Sequence, residues 1–394
     1  MGKYIFKRLV QIVITLFIFQ TLLFVILNAM PGDVTYRMFS NSKIPPAAVE
    51  RARRALGLDD PVLVQYARWW RSFITGDFGI SFSEYPKPVI DIIRERIPRT
   101  LALFLTATFV RFAMGFTLGR ILAWQRGGLF EYGSTFVGVA LFTVFTPWFG
   151  LMMIFIFGAR LRWLPLGKFM EPALWSKAVI PGLTNTASKG NFIFNRMLLT
   201  ASIVLVLWLL LLVWTGKNRK LNAKQRSWIV QGGALALCLM AIGAWWLSGL
   251  GYLAWNIIKH MILPVATVAL VGFGGTMLLT RQTMLETLRE DYIQTARAKG
   301  VPESVVRDKH AARNALLPVL TNLIIGLPFT LSGGIITESI FSWPGMGLTL
   351  LTATNAEDIP LVMGVFTFIG ILALVAHLVA DITYAFLDPR IRYA

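Results

Sequence analysis

The sequence has little charge and almost no cysteine: 15% of its 394 residues are charged, 56% are hydrophobic, and Cys238 is the single cysteine. One cysteine inside an apolar run excludes an internal disulfide framework and a cysteine zinc site. His260, His310 and His377 are the only histidines and lie far apart, as packing or hydrogen-bonding residues rather than metal ligands do. No G-x-x-x-x-G-K-[ST] loop occurs; "TGKNRK" and "PLGKF" lack both the upstream glycine spacing and the Ser/Thr that contacts magnesium, so the chain by itself has no means of hydrolysing ATP. The ten-residue alternation of an outer-membrane barrel is also missing.

What is present are apolar runs near the length that a helix needs to cross about 30 Å of hydrocarbon. The chain reads as an all-α polytopic membrane bundle. Spans are expected over about 9–29, 100–124, 132–157, 198–214, 228–250, 261–280, 316–337 and 361–386. The formal charge of +18 falls largely in short loops, where the positive-inside rule places it, and is not read as a nucleic-acid footprint. Lys3, Lys7 and Arg8 hold the N-terminus in the cytoplasm on this reading, and eight spans return the C-terminus to the same side. A signal peptide fits the first run poorly, because the run exceeds an h-region in length.

Residues 31–97 form a long polar external segment with 10 Lys/Arg and 8 Asp/Glu. Within it "SKIPPAAVERARRALGL" reads as a short helix opened by Pro45 and Pro46 and closed by Gly57. Between the fourth and fifth spans, "TGKNRKLNAKQR" has five basic residues and no acidic one, which makes it cytoplasmic.

The most polar stretch outside that segment is "DYIQTARAKGVPESVVRDKHAARNALLPVL", residues 291–320, in a cytoplasmic loop of roughly 35 residues. Asp291 suits a helix start, Gly300 a left-handed stop, and Pro302 prevents continuation. Small residues Thr295, Ala296 and Ala298 admit a close backbone, with Arg297, Lys299, Arg307 and Lys309 as a charged rim. A docking surface and a solvated basic loop are both compatible with this spacing.

Here the chain resembles permease subunits of binding-protein-dependent ABC importers, in the dipeptide/oligopeptide/nickel group and of the first-permease type. Residues 291–318 resemble the coupling (EAA) loop of that family. Further matching pieces follow in order: "KRLVQIVITLFIF" with "NAMPGD", "GDFGISF" before "IPRTLALFL", "LPLGKF", "ESIFSWPGMG" and "DITYAFLDPRIRY". They cover nearly everything outside residues 172–258. The general pattern, Glu-Ala-Ala then Gly and later Leu-Pro, is met here by Gln294, Thr295, Ala296 and Gly300, with Ala312-Arg313 at the Leu-Pro place and Leu317-Pro318 five residues on.

The resemblance implies a type I ABC importer transmembrane domain: residues 1–97 as first span and external segment, 98–387 as the domain proper, and 388–394 as a cytoplasmic tail. A six-span core then carries an inserted helical pair at about 187–258. It also implies two separate ATPase subunits holding ATP and magnesium, a second homologous permease (a heterodimer favoured, since the N-terminal pattern matches one of two subunit types) and an external substrate-binding protein. The setting is the prokaryotic cytoplasmic membrane. Asp291, Thr295, Ala296, Arg297, Ala298, Gly300, His310, Arg313 and Asn314 would form the ATPase-coupling loop. The external loop with Glu338, Trp343, Pro344 and Gly345 would help receive the binding protein; a turn with Trp343 as an interfacial anchor fits the same residues.

Arg111 lies near the middle of the second span, where a charge is costly. It should face the bundle interior, either bonded internally, with Asp381 as the nearest acidic candidate by depth, or in contact with a substrate carboxylate. An ATP-independent channel or facilitator is the rival function, separated from the importer by the coupling loop. A membrane-embedded enzyme comes third, since the spans hold no convergent His/Asp/Glu cluster.

Overall fold

A computed structural model describes residues 2–29, 60–125, 127–218, 221–332 and 334–387. The expected helix at 42–58, Gly333 and the tail at 388–394 lie outside the described residues. All the regular structure described is helical apart from two isolated bridges, Ile80 with Pro88 and Ile180 with Leu183. Among the described residues, seven helices are long and apolar enough to span a bilayer, and one bent pair brings the number to eight.

Two compact units result: Met1–Met153 with Pro264–Ala394, and Ile154–Leu263. The first contains α1 (Gly2–Ala29), α2 (Val62–Thr75), α3 (Val89–Trp124), α4 (Leu129–Thr143) and α5 (Thr146–Met153). The chain goes on from α5 as a π-helical stretch, Ile154–Arg160. Residues 132–157 are not one straight span: α4 and the helix after it meet at 107°. Proline explains the correction. Pro147 has no N–H to offer the carbonyl of Thr143, and α4 ends at that residue, with Val144 extended at ψ 141°.

Close helix crossings in this unit are made by glycine. A Cβ on Gly115 would sit 2.6 Å from Thr276 Cβ, and one on Gly119 would sit 2.5 Å from the Met277 carbonyl oxygen. A side chain on Gly274 would strike the Gly138 backbone. In a bilayer, where apolar burial no longer drives helices together, such close backbone packing is a main source of cohesion. Leu122, Phe273 and Met277 form the buried seam beside these contacts.

The unit is completed by the portion of α9 (Gly251–Thr287) after Pro264, α10 (Asp291–Ala298), α11 (Glu303–Val305), α12 (Ala312–Ser332), α13 (Ile335–Ile340), α14 (Met346–Asn355) and α15 (Ile359–Leu387). α1 lies along α15, where buried Gln20 donates to Thr367 Oγ1 at 3.1 Å. Asp381 on α15 pairs with Arg8 on α1 at 3.2 Å, so the expected Asp381 pairing with Arg111 is not made. Proximity along the membrane normal was a poor guide because α1 lies along α15 and brings Arg8 to Asp381.

Ile154–Leu263 holds α6 (Pro172–Lys177), α7 (Thr186–Lys217) and α8 (Ala223–Leu247). α7 and α8 form a side-by-side pair; the most apolar window of each is wholly unburied, as expected of lipid-facing helices. The buried knot of this unit is Trp175, whose Nε1 donates to Asn256 Oδ1 at 2.9 Å, while Lys189 donates to the Ala178 carbonyl at 2.6 Å. Asn222 and Gln225 cap α8 reciprocally. An open, mostly apolar groove of about 910 Å³ runs between α7, α8 and the start of α9, lined by residues including Trp208, Cys238 and Trp245.

Candidate functional site

The polar stretch after α9 folds back on itself into a small domain. Ala123, Met284, Leu288, Ile293, Ala296, Val306, Ala311, Ala312 and Ala315 make one buried cluster, joined by Phe116, Trp124 and Val301. Ile293, Val306 and Ala311 are fully shielded from solvent. α10 begins at Asp291, with Glu290 in the cap position, and Thr295 Oγ1 donates to the Asp291 carbonyl at 3.0 Å.

α10 ends on a Schellman turn. The Gly300 N–H donates to the Arg297 carbonyl at 2.9 Å and the Val301 N–H to the Ala296 carbonyl at 3.2 Å, with Gly300 at φ +71°. Val301 then packs in the same cluster as Ala296, the apolar contact that accompanies this motif. α11 passes into a π-helical turn, Val306–Ala311, that leads into α12.

Charged groups clamp this small domain to the end of α3. Arg297 donates to Glu303 at 3.1 Å, Arg307 to Asp308 at 2.7 and 2.8 Å, and Arg120 on α3 lies 3.5 Å from Asp308. The guanidinium carbons of Arg297 and Arg307 stand 6.0 and 5.8 Å from the centre of the Trp124 ring. Asn314 donates to the Tyr292 hydroxyl at 2.6 Å, tying α12 to α10.

The candidate loop residues therefore divide. Asp291, Thr295, Arg297, Ala298, Gly300, Arg313 and Asn314 are exposed, and His310 is half-buried. Ala296 is a correction: it is 8% exposed and belongs to the loop's own core, not to a docking face. Its size is set by the inside of the turn.

Three partners escaped sequence reasoning. Trp124 and Arg120 sit at the end of what reads as a plain span. Glu131, 5% exposed, takes the Arg281 Nε at 2.9 Å and the Gly127 N–H at 2.6 Å, fixing the α3–α4 turn to α9. The signal available was an acidic residue in the first turn of an apolar helix, just after Gly-Gly.

A second polar knot lies where α13 and α14 meet the start of α3. Glu338 is fully buried: its Oε1 accepts from Thr100 at 2.7 Å, its Oε2 accepts from the N–H of Leu348 at 2.9 Å, and the Gly347 N–H also donates to the carboxyl group. Thr100 in turn accepts from the Met346 N–H at 2.7 Å, so its hydroxyl proton is directed at Glu338. Burial pushes the Glu338 carboxyl up to about 7, against the pull of those donors. Gly345 and Gly347 leave the space: a side chain on Gly345 would overlap the carboxylate, and one on Gly347 would lie 2.7 Å from the Ile335 backbone.

Trp343 is not an interfacial anchor. It is completely buried, and its Nε1 donates to the Arg99 carbonyl at 3.2 Å, while Arg96 and Arg99 both reach the Pro344 carbonyl at 3.4 Å. Glu338, Trp343 and Gly345, expected in a loop that receives the binding protein, are buried and Pro344 is half-buried; of residues 341–347, Ser342 alone is exposed. Nearby, buried Asp358 accepts from Ser81 at 2.5 Å and from the Ser83 N–H at 2.9 Å, locking the 77–88 loop onto the start of α15.

Arg111 occupies neither cluster. It packs against Gly272 on α9, where a Cβ would strike its stem, and stands near Gly326 on α12. Its Nε is buried without a hydrogen-bond partner, and among the described residues no carboxylate pairs with it.

Residues 115–393 match the family described as binding-protein-dependent transport system inner membrane component, and residues 1–104 match its N-terminal companion family. The chain is 30% identical to the oligopeptide transport system permease protein AppB of Bacillus subtilis over the whole of both chains. It is 28% identical to the dipeptide transport system permease protein DppB of Alkalihalophilus pseudofirmus, again over the whole of both. For the di/tripeptide transport system permease protein DppB of Pseudomonas aeruginosa the identity is 29%, over all of this chain and 99% of that one.

Proposed function

Since the chain belongs to the family of binding-protein-dependent transport system inner membrane components, a multi-pass membrane permease family, we propose that it moves peptides inward by ATP-driven alternating access. The relatives named for oligopeptide, dipeptide and tripeptide transport support the substrate class. On this reading both termini and the loop at 288–311 lie in the cytoplasm, and two ATPase subunits that carry ATP and magnesium dock there. A second, homologous permease completes the pathway, as a heterodimer, and an external binding protein delivers the substrate.

The observation that carries the reading is the construction of that loop. Movement of a docked partner reaches the spans only through something stiff. The loop has its own buried core, a Schellman turn and an arginine clamp on Trp124, and it is continuous with α9 and α12. Force on the exposed face of α10 is thus passed directly to three spanning helices, α3, α9 and α12. Rigid-body rocking about a mid-membrane route then gives alternating access.

The test is uptake of a labelled peptide into vesicles holding the assembled importer, with binding protein outside and nucleotide inside. ATP should drive accumulation above the external concentration, and a non-hydrolysable analogue should not. Equilibration without ATP would favour the channel reading instead.

A further inference from the structure

Resting on the reading of the chain as an importer of peptides, we propose that Arg111 is an intramembrane binding site for the carboxylate of the passing substrate, with Thr108 as its hydroxyl companion.

A guanidinium in the middle of a span is costly and is normally found paired, bonded to carbonyls, or facing a water-filled route. Asp381, the acid nearest in expected depth, is held by Arg8. Arg111 Nε is shielded and unbonded, and the side chain forms no ion pair among the described residues. Internal pairing therefore does not explain why an arginine is here.

The surroundings, by contrast, are shaped for it. Gly272 on α9 provides the notch that the stem fills, and Gly326 on α12 leaves the tip of the guanidinium 3.9 Å from the place a Cβ would take. The side chain is held between three helices of one unit and is still only half-buried, so part of it remains open.

Thr108, one turn away on α3, adds an independent observation. Most threonines in these helices spend their hydroxyl on the carbonyl four residues back, as Thr280 and Thr283 do. Thr108 is 4% exposed, and among the described residues its Oγ1 has no partner. Residues three apart share a helix face, so two unsatisfied polar groups stand together at mid-membrane depth.

A forked cation beside a hydroxyl matches a carboxylate, which takes two parallel N–H bonds from arginine. Every unmodified peptide carries one at its C-terminus, whatever its side chains. A site reading that group would accept varied peptides while giving them one halting point on the way through.

The test uses the whole importer in vesicles and compares uptake of one peptide with a free C-terminus and the same peptide amidated. The ratio is taken for wild type, Arg111→Gln, Arg111→Lys and Thr108→Val, so that any preference of the shared binding protein cancels between variants. Arg111→Gln should lower uptake of the free peptide about tenfold or more, the scale of one charge-assisted contact, and leave the amide unchanged. Lysine should restore part of the difference, and Thr108→Val should lose part of it. The melting temperature of the complex should hold or rise in Arg111→Gln, because an intramembrane charge with no ion pair among the described residues has been removed.

An unchanged ratio in a folded Arg111→Gln importer overturns the proposal and leaves the importer reading standing. Equal loss of both peptides with a falling melting temperature, or loss of the second permease from the complex, assigns Arg111 to structure instead. Wild-type vesicles that take up neither peptide with ATP sink the importer reading itself.

Discussion

Gly300 shows what a single residue decides. At φ +71° it lies where a β-branched side chain is strained, although nothing stands within 4 Å of the place its Cβ would take. The constraint is conformational rather than steric, about 1–2 kcal/mol for an L-residue held left-handed. Gly300→Asn should therefore keep ATP-dependent uptake near wild type, since Asn tolerates this region, while Gly300→Val should lose most of it with ATPase activity retained. Parallel uptake and hydrolysis measurements decide; full uptake by the valine variant would refute the turn's coupling role. Glu338 gives a prediction in pH. The folded chain keeps this proton to about 7, whereas the unfolded chain releases it near the ordinary value of 4.5. The native state thus binds more protons across that window, and its stability should fall as pH rises through it and level off above. Melting curves of wild type and Glu338→Gln between pH 5 and 8 should converge in slope only where the wild-type carboxyl has finished titrating. Identical slopes throughout would contradict the assignment.

At the scale of elements, the loop at 288–311 behaves as a folded piece with an inside and an outside. Ile293→Ala opens a cavity in its core and should cost about 2–5 kcal/mol locally. Hydrogen exchange should then speed up over residues 288–311 and not in α15. Thr295→Arg, on the exposed face, should leave exchange unchanged and weaken ATPase docking. This contrast was hidden in the sequence, because an Ala-rich helix shows no side: Ala296 and Ala298 look alike until the turn closes over the first. The spans were legible because uninterrupted apolar runs near 20 residues have few other uses. The break near Val144 was not, since "TPW" lies within an unbroken apolar stretch and only its proline signals it. Trp343 read as an external-loop residue, for receiving the binding protein or as a belt anchor, for a related reason: tryptophan beside Pro and Gly suits either, and nothing local reveals that the Arg99 carbonyl waits for its N–H. Asp381 was misassigned because depth in a span does not specify which helix lies alongside.

For the whole molecule, the proposed function has this chain transmit work done by partners and perform none of the hydrolysis itself. Its architecture suits that division. Glycine crossings hold α3, α4 and α9 together, Glu338 and Asp358 fasten the connections at one end, and the clamped loop is carried at the other. The most direct test is to purify the tagged chain in mild detergent and identify its partners by mass spectrometry, comparing wild type with Thr295→Arg. Wild type should bring down a P-loop ATPase and a second permease, and the variant should lose the ATPase while keeping the permease. A folded wild-type chain that recovers no ATPase would contradict the account and return the channel reading to the front.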